Sequence, residues 1–261
     1  MQYETILYEV INQVAYITLN IPEKNNPLTT RSTKELIDAV KKADGDAAVH
    51  VIVLTGAGKS FCAGGDLKEF SQNLEKTAPK LYKEGHESTE LFKLPLQIRT
   101  PIIGAINGAA LGGGTGITAM CHLAIASDRA SFGLTELKLG LVPFVILPWV
   151  KKVVGSRKMM ELMLTADTFT AEQALKYGLV HRVVSHAELQ SEVEKLAQKI
   201  AAHSPLAVEL ALESFYKAEQ MDFSTSLDFL TNLRMVSFQS EDLKEGATAF
   251  LEKRQPVWQG K

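Results

Sequence analysis

The stretch ALGGGTGITAMCHLA, residues 110–124, places three adjacent glycines where an apolar helix would begin. Glycine costs backbone entropy in any regular element, so the run Gly112, Gly113 and Gly114 needs a reason. It follows the apolar segment Ile102–Ile106, which we expect to be a buried strand. A strand, a glycine turn and a helix in this order are typical of parallel α/β folds, where free N–H groups at the helix start face a ligand site.

A second segment of the same kind is SFCAGGDLKEF, residues 60–70, which follows the predicted strand Val49–Leu54. Two N–H donors from separate loops would form an oxyanion hole. The alternative is that both segments are tight strand-to-helix turns and nothing more. Asp66 also has two interpretations, because Asp66-x-x-Glu69 is the pattern of a capping box for a helix from about Leu67. The other interpretation is a catalytic carboxylate.

The third segment is FGLTELKLGLVPF, residues 132–144, in which Glu136 stands among leucines. A carboxylate in an apolar wall has a raised pKa, which suits proton transfer. The alternative is that Thr135 or Glu136 simply starts a short helix. The uncharged run Leu139–Val150 is expected to be core or subunit contact rather than a membrane segment.

The rest of the chain is predicted to begin with a hairpin, Ile6–Ile11 and Val14–Leu19, and then a helix. Ser32 and Glu35 form the pattern of a capping box for that helix, which runs to about residue 43. Another strand is predicted at 122–126, and this arrangement favours a parallel α/β fold. After residue 155 the strand signal fades, and helices are predicted at 157–164, 171–177, 188–202, 205–219 and in two further segments.

Composition excludes several classes of function. The 261 residues are 46% hydrophobic and 22% charged, with 28 basic against 30 acidic residues and a net charge of −2. This balance gives no support to a nucleic-acid or membrane-surface partner. The two cysteines form no disulfide framework, and no targeting segment is evident, so a cytoplasmic location is expected. The sequence GAGKS at 56–60 lacks the first glycine of a phosphate-binding loop, since Val53 stands there, and no metal-ligand spacing is present.

Together the segments resemble the crotonase family, also called the enoyl-CoA hydratase/isomerase superfamily. The resemblance covers nearly the whole chain and is carried by FCAGGDLKE, NGAALGGGTG, FGLTELKLGLVP, TADTFTAEQALKYGLVHRVV and SEDLKEGATAFLEKR. It implies an α/β fold whose crotonase-like β/α spiral core, residues 1–195, carries the CoA-thioester site. It also implies a helical C-terminal trimerisation region at 196–261, and therefore a homotrimer or a dimer of trimers.

The resemblance further implies an acyl-CoA substrate, whose CoA moiety is part of the thioester, and no separate cofactor or metal. Gly65 and Gly113 match the two oxyanion-hole donors to the thioester carbonyl, so Gly113 also belongs to the ligand-binding set. Phe250 and Lys253 are candidates to cover CoA, often from a neighbouring subunit in this family. The wall for the adenine and pantetheine is implied at Ala63, Gly65, Asp66, Leu67 and Lys68.

One departure from the family affects the chemistry. Hydratases of the well-known type carry two glutamates, of which the second matches Glu136 and the first falls at Gly116. His122 stands where the family commonly has aspartate, and we interpret it as structural. Thr115 and Thr118 are candidates to orient a water, although a hydroxyl cannot replace a carboxylate as base.

We therefore expect an enoyl-CoA hydratase/isomerase-type enzyme with Glu136 as its single acid–base group. The alternatives are a Δ3-Δ2-enoyl-CoA isomerase and a hydratase for branched or acidic enoyl-CoA, as in methylglutaconyl-CoA hydratase-like proteins. A different reaction in the same pocket, such as decarboxylation or thioester hydrolysis, is also open. The alternative outside catalysis is an acyl-CoA-binding subunit.

Overall fold

The computed structural model describes residues 3–261, in which ten β-strands form two sheets. The strands are β1 Ile6–Ile11, β2 Val14–Leu19, β3 Val51–Gly56, β4 Ser60–Cys62, β5 Ile102–Ile106, β6 Ala109–Leu111, β7 Leu123–Ser127, β8 Ser131–Gly133, β9 Thr168–Thr170 and β10 Arg182–Val184. The larger sheet has the order β1-β2-β3-β5-β7-β10, and the smaller sheet has the order β4-β6-β8-β9.

Ten α-helices surround and extend these sheets in the described residues. They are α1 Thr30–Asp44, α2 Leu67–Asn73, α3 Ala78–Lys93, α4 Gly113–Met120, α5 Leu147–Thr165, α6 Ala171–Tyr177, α7 Leu189–Ala201, α8 Pro205–Ala218, α9 Phe223–Phe238 and α10 Glu241–Glu252. Within α5 the backbone breaks at Gly155, where φ is 78° and ψ is 162°. Across residues 3–261, no helix is both long enough and apolar enough to cross a membrane.

The chain winds as a spiral that visits each sheet in turn. Strand β3 is followed by β4, β5 by β6 and β7 by β8, so each pass adds one strand to the larger sheet and one to the smaller. Neighbouring strands are parallel except for β1 with β2 and β8 with β9. The parallel pairing of β4 with β6 brings the chain that follows each strand to the same edge of the smaller sheet. The predicted α/β architecture is therefore confirmed.

The larger sheet is buried on both faces, which explains its continuous apolar runs. Along β3, Ile52 and Leu54 point into the main core, while Val51 and Val53 point to the opposite face. That opposite face is covered by one side of α7, including Val193. The run VIVL thus supplies two cores at once, as the period-2 geometry of a strand requires.

The predicted boundary between residues 195 and 196 falls inside α7. This helix packs on the sheet through Leu189 near its start and Ala201 at its end. The helix therefore belongs with the sheet, and the exclusively helical part begins at α8. The division into a spiral core and a C-terminal trimerisation region stays a prediction.

The capping box predicted for Ser32 and Glu35 is wrong. Thr29 is the N-cap of α1, and it shares the reciprocal bonds of a capping box with Ser32. Glu35 instead accepts hydrogen bonds from the backbone N–H and the hydroxyl of Thr5, at 2.8 and 2.6 Å. Its carboxylate thus ties α1 to the chain that leads into β1.

The region after Gly155 is not free of strands, because β9 and β10 lie there. Each of these two strands has three residues and lies at the edge of a sheet. Strand β9 pairs with β8 in the smaller sheet, and β10 pairs with β7 in the larger sheet. The predicted helices of this region are confirmed, although α5 begins ten residues before the predicted start at 157. In the run Leu139–Val150, Ile146, Trp149 and Val150 are buried, whereas most of 139–145 is exposed.

Candidate active site

The two glycine segments meet at one edge of the smaller sheet. A Cβ atom placed on Gly64 would lie 2.7 Å from the carbonyl oxygen of Leu111 and 3.2 Å from the nitrogen of Gly113. The loop after β4 and the turn after β6 are therefore in direct backbone contact. Such an approach is open only to a residue without a side chain, which explains why glycine stands at this position.

The amides of Gly65 and Gly113 are available to a ligand. Within residues 3–261, neither N–H group donates to a carbonyl or side-chain oxygen. Gly113 is the first residue of α4, so its N–H is one of the four that a helix leaves free at its N-terminus. Two such donors on touching turns can hold one developing oxyanion.

The neighbouring glycines allow this turn to form. Gly112 has φ 50° and ψ −117°, a conformation that L side chains rarely adopt, and its Cβ would lie 2.9 Å from Oε1 of Glu136. A Cβ on Gly114 would overlap the carbonyl oxygen of Cys62 in β4. The glycine run therefore brings the start of α4 against both β4 and the Glu136 carboxylate.

Glu136 lies in the 3-10 helix Thr135–Leu139, which follows β8. Its carboxylate contacts Gly112, the residue directly before Gly113. The carboxylate therefore lies close to the second of the two free amides. The Oε2 atom is buried and has no hydrogen-bond partner in the described part of the chain. Burial raises the pKa of this carboxyl group, and its own backbone N–H opposes the rise in part. The interpretation of a short helix is confirmed, since Glu136 lies in the 3-10 helix. The catalytic interpretation stays a prediction, and its leucine wall is incomplete because Leu139 and Leu141 are exposed.

Gly116, one helical turn beyond Gly112, has no room for a side chain. A Cβ placed there would overlap Cγ2 of Ile146, would lie 2.7 Å from its Cβ and would lie 3.1 Å from Cε1 of Phe92. The space that a side chain at position 116 would enter is therefore filled with hydrocarbon.

Thr115 and Thr118, the candidates to orient a water, are engaged with the protein. The Thr115 hydroxyl donates to the carbonyl of Ala110 at 2.7 Å and accepts from the N–H of Gly133 at 3.2 Å. The Thr118 hydroxyl donates to the carbonyl of Gly114 at 3.0 Å. Both side chains are buried. The Thr115 hydroxyl ties α4 to β6 and β8, whereas the Thr118 hydroxyl bonds within α4.

Asp66 is the N-cap of α2. Its Oδ1 accepts from the N–H groups of Lys68 and Glu69 at 2.8 and 3.0 Å, which confirms the capping interpretation. The reciprocal bond of a capping box is missing, because Glu69 accepts instead from Thr30. Around this cap, Ala63, Leu67 and Lys68 are exposed beside Gly65.

Two side chains that contact the glycine turns were not predicted from the sequence. Phe70 lays its ring over Gly65, with Cε2 at 2.9 Å from the position of a Cβ, and Leu28 touches Gly113 in the same way at 2.8 Å. The N–H of Leu28 also donates to the carbonyl of Gly64 at 2.7 Å. The signal that could have found this loop is NNP at 25–27, a turn sequence whose two asparagines have positive φ.

The two C-terminal candidates lie at the end of α10. Phe250 is 83% exposed, and Lys253 ends the helix in the left-handed conformation. In the described residues, the Lys253 ammonium forms no ion pair and the Phe250 ring is open to solvent. No group of three His, Cys, Asp or Glu in residues 3–261 is arranged to hold a metal ion.

Comparison with known proteins shows which family and which solved structures this chain is similar to. The sequence profile of the enoyl-CoA hydratase/isomerase family matches residues 9–261. A probable mitochondrial enoyl-CoA hydratase of Dictyostelium discoideum is 38% identical over 267 residues, covering 100% of this chain and 92% of the relative. A short-chain-enoyl-CoA hydratase of Clostridium acetobutylicum is 35% identical over 256 residues, 97% of each chain. The crystal structure of an enoyl-CoA hydratase from Bacillus anthracis has a TM-score of 0.93 at 33% identity, covering 99% of this chain and 100% of that one.

Proposed function

The chain belongs to the enoyl-CoA hydratase/isomerase family, and from this premise we propose that Glu136 is the single acid–base group for proton transfer on an enoyl-CoA thioester. The observation that carries the proposal is the contact between the Glu136 carboxylate and Gly112, directly before the free amide of Gly113. A base and an oxyanion donor are thus side by side, as proton transfer next to a carbonyl requires.

The amides of Gly65 and Gly113 are proposed to hold the thioester oxygen. As charge moves onto that oxygen, hydrogen bonds from fixed donors become stronger, so the enolate is stabilised more than the substrate. Removing one such donor in other enzymes typically costs about 10²–10³ in kcat. A pure binding protein has no use for a desolvated carboxylate at this position, which disfavours the non-catalytic alternative.

The raised pKa of Glu136 suits both directions of proton transfer. A desolvated carboxylate binds a proton more readily than an exposed one, and its carboxyl form can then return the proton. Because the base form is needed first, kcat/KM falls on acidification as the pH passes this raised pKa. The fall is expected at a higher pH than for an ordinary glutamate.

Hydration of a 2-enoyl-CoA is the first candidate reaction, since the relatives are named enoyl-CoA hydratases. Isomerisation of a 3-enoyl-CoA is the second, and the observation that favours it is the apolar filling beside Gly116. Both reactions use one carboxylate and one oxyanion hole. The hydration of branched or acidic enoyl-CoA is a variant of the first candidate.

The CoA part of the substrate is proposed to lie along the exposed residues beside Gly65, with Asp66 contributing through its capped turn. Phe250 and Lys253 would then cover CoA from a neighbouring subunit of a homotrimer or of a dimer of trimers. A supporting observation is the large apolar surface on the last helices, where the exposed side chains are Phe215, Phe223, Leu227, Met235, Val236, Phe238, Phe250 and Leu251. The cytoplasmic location stays a prediction.

The test is the variant Glu136→Gln, which keeps the shape of the side chain and removes its base. We expect kcat/KM for crotonyl-CoA hydration and for 3-hexenoyl-CoA isomerisation to fall by roughly 10²–10⁴-fold. The affinity for the thioester is expected to persist, measured by calorimetry. Glu172→Gln is the matched control, because Glu172 is an exposed carboxylate on α6.

Thermal unfolding separates lost chemistry from lost structure. The Tm of Glu136→Gln is expected not to fall, because the substitution removes a buried carboxylate with an unpaired oxygen. Turnover close to that of wild type in a folded Glu136→Gln protein would refute the role of Glu136.

A further inference from the structure

The surroundings of Glu136 differ on its two sides along α4. The carboxylate lies over Gly112, while Ile146 and Phe92 lie over Gly116. The N–H of Gly116 donates to the carbonyl of Gly112 at 3.1 Å, so the two positions lie one helical turn apart at the start of α4. The hydrocarbon of Ile146 therefore packs one turn along α4 from the position that the carboxylate contacts.

Ile146 and Phe92 are held firmly in place. Ile146 is 4% exposed and accepts through its carbonyl from the N–H of Val150 at 3.0 Å, in the first turn of α5. The indole N–H of Trp149 donates to the carbonyl of Phe92 at 2.7 Å. Since this bond joins α5 to α3, the two apolar side chains keep their positions relative to each other and to α4.

A water molecule on this side of Glu136 would find few partners. An ordered water needs two to four polar groups, and one carboxylate oxygen supplies only one bond. The nearby hydroxyls of Thr115 and Thr118 already donate to carbonyls within the protein. Ile146 and Phe92 add no polar atom, so the position beside Gly116 disfavours water.

We propose that Ile146 is a specificity-determining residue, which excludes water beside Glu136 and so favours return of the proton to carbon over hydration. The inference rests on the proposed function of Glu136. It goes beyond that function by assigning the choice between the two reactions to one side chain, at the N-cap of α5.

The two competing reactions differ in whether a water molecule adds to the substrate. In isomerisation, the Glu136 carboxylate takes a proton from the α-carbon of a 3-enoyl thioester, and the electron pair moves onto the thioester oxygen as a dienolate. The carboxyl then returns the proton to the γ-carbon, which gives the 2-enoyl thioester. In hydration, a water oxygen bonds to the β-carbon of the 2-enoyl thioester while the Glu136 carboxylate takes a proton from that water, and the π electron pair moves onto the thioester oxygen as an enolate. The Glu136 carboxyl then delivers the proton to the α-carbon, which gives the 3-hydroxyacyl thioester.

The test compares Ile146→Ala with wild type on two thioesters of one chain length. The hydration kcat/KM is measured with 2-hexenoyl-CoA, the isomerisation kcat/KM is measured with 3-hexenoyl-CoA, and mass spectrometry identifies both products. We expect the ratio of hydration to isomerisation to rise about tenfold in Ile146→Ala, because the vacated space lies next to Glu136 and admits water.

The controls separate this effect from general loosening of the core. Leu162→Ala removes a buried side chain from the same helix beyond the break at Gly155, and its ratio is expected to match wild type. Ile146→Thr keeps a β-branched side chain and adds a hydroxyl, so it is the second variant should Ile146→Ala fail to fold. It is expected to raise the ratio too.

An unchanged or lowered ratio in a folded Ile146 variant overturns the inference. So does a wild-type protein that hydrates but does not isomerise, or loss of folding in both Ile146 variants, which would make Ile146 a core residue alone. The proposed function fails separately, if Glu136→Gln retains both activities or if wild type turns over neither thioester. In that case the inference falls with it.

Discussion

His122 is a partly buried side chain with a structural role at the start of β5. Its Nδ1 accepts a hydrogen bond from the N–H of Ile102 at 2.8 Å, which holds the first residue of β5. The ring lies 5.8 Å from that of Tyr216 on α8, between centroids. Burial lowers the pKa of His122 to about 4, so the imidazole is neutral at neutral pH and can accept that bond. These contacts support the structural interpretation of a position where the family commonly has aspartate.

The lowered pKa of His122 makes the stability of the fold depend on pH. Its folded pKa of about 4 lies below its ordinary value of 6.5, so the unfolded chain takes up a proton first as the pH falls. The stability contribution is complete above pH ~6.5 and is lost progressively between about 6.5 and 4. We expect this group to lower the free energy of unfolding by about 2 kcal/mol between pH 7.5 and 5.

The variant His122→Asn isolates that contribution. The asparagine Oδ1 can accept from Ile102 but does not titrate, so the difference in stability between pH 7.5 and 5 is expected to shrink by about 2 kcal/mol. Urea unfolding at the two pH values measures it. An identical pH dependence in wild type and His122→Asn would contradict the assignment.

At the scale of one helix, glycine has opposite effects in α3 and α4. Gly85 is exposed in α3, and nothing lies within 4 Å of the position of its Cβ. Gly114 is buried in α4, where a Cβ would meet the carbonyl oxygen of Cys62. We expect Gly85→Ala to stabilise the protein by about 0.5–1 kcal/mol and Gly114→Ala to destabilise it by about 1–3 kcal/mol.

Urea unfolding of the two variants side by side provides the check, because the chemical change is the same in both. If Gly114→Ala is as stable as Gly85→Ala, then α4 does not approach β4 as closely as described. The start of α4 would then tolerate side chains, and steric crowding would not explain why three glycines occur there.

The sequence was informative for elements that are long enough to show periodicity. The hairpin strands β1 and β2, the strand β5 and the helix α6 have the predicted bounds. The strands β4, β6 and β8 were not predicted, because three residues are too few for a period-2 pattern. Their partners also lie far along the chain, as in the pairing of Ser60 with Ala109.

The site shows the same division between local and distant information. Local turn chemistry pointed to the two glycine segments, and the family resemblance singled out Gly65 and Gly113 within them. The leucines around Glu136 pointed to a desolvated carboxylate. The filling of position 116 by Ile146 could not be predicted, because thirty residues separate the two and no local pattern links them. The catalytic roles of these residues stay predictions until they are measured.

At the scale of the whole molecule, the crotonase-like fold and membership of the family are confirmed. The oligomer is a prediction, and the exposed apolar side chains of α8, α9 and α10 are its physical basis. We expect a solution mass of three or six times 28.6 kDa at micromolar concentration. Sedimentation velocity measures it, and a monomer throughout that range would contradict the prediction.

The spiral path also has a consequence for how the protein acquires its structure. Each parallel pairing joins strands that are distant along the chain: Ile103 pairs with Leu123, twenty residues away, and Ile52 pairs with Ile102, fifty residues away. Loop closure on this scale loses chain entropy before contacts compensate for it, so folding is expected to be slower than in a protein with mainly local contacts. Gly65, Gly113 and Glu136 follow three successive passes of the spiral. A nascent chain therefore gains its catalytic competence late, after the third pass has docked.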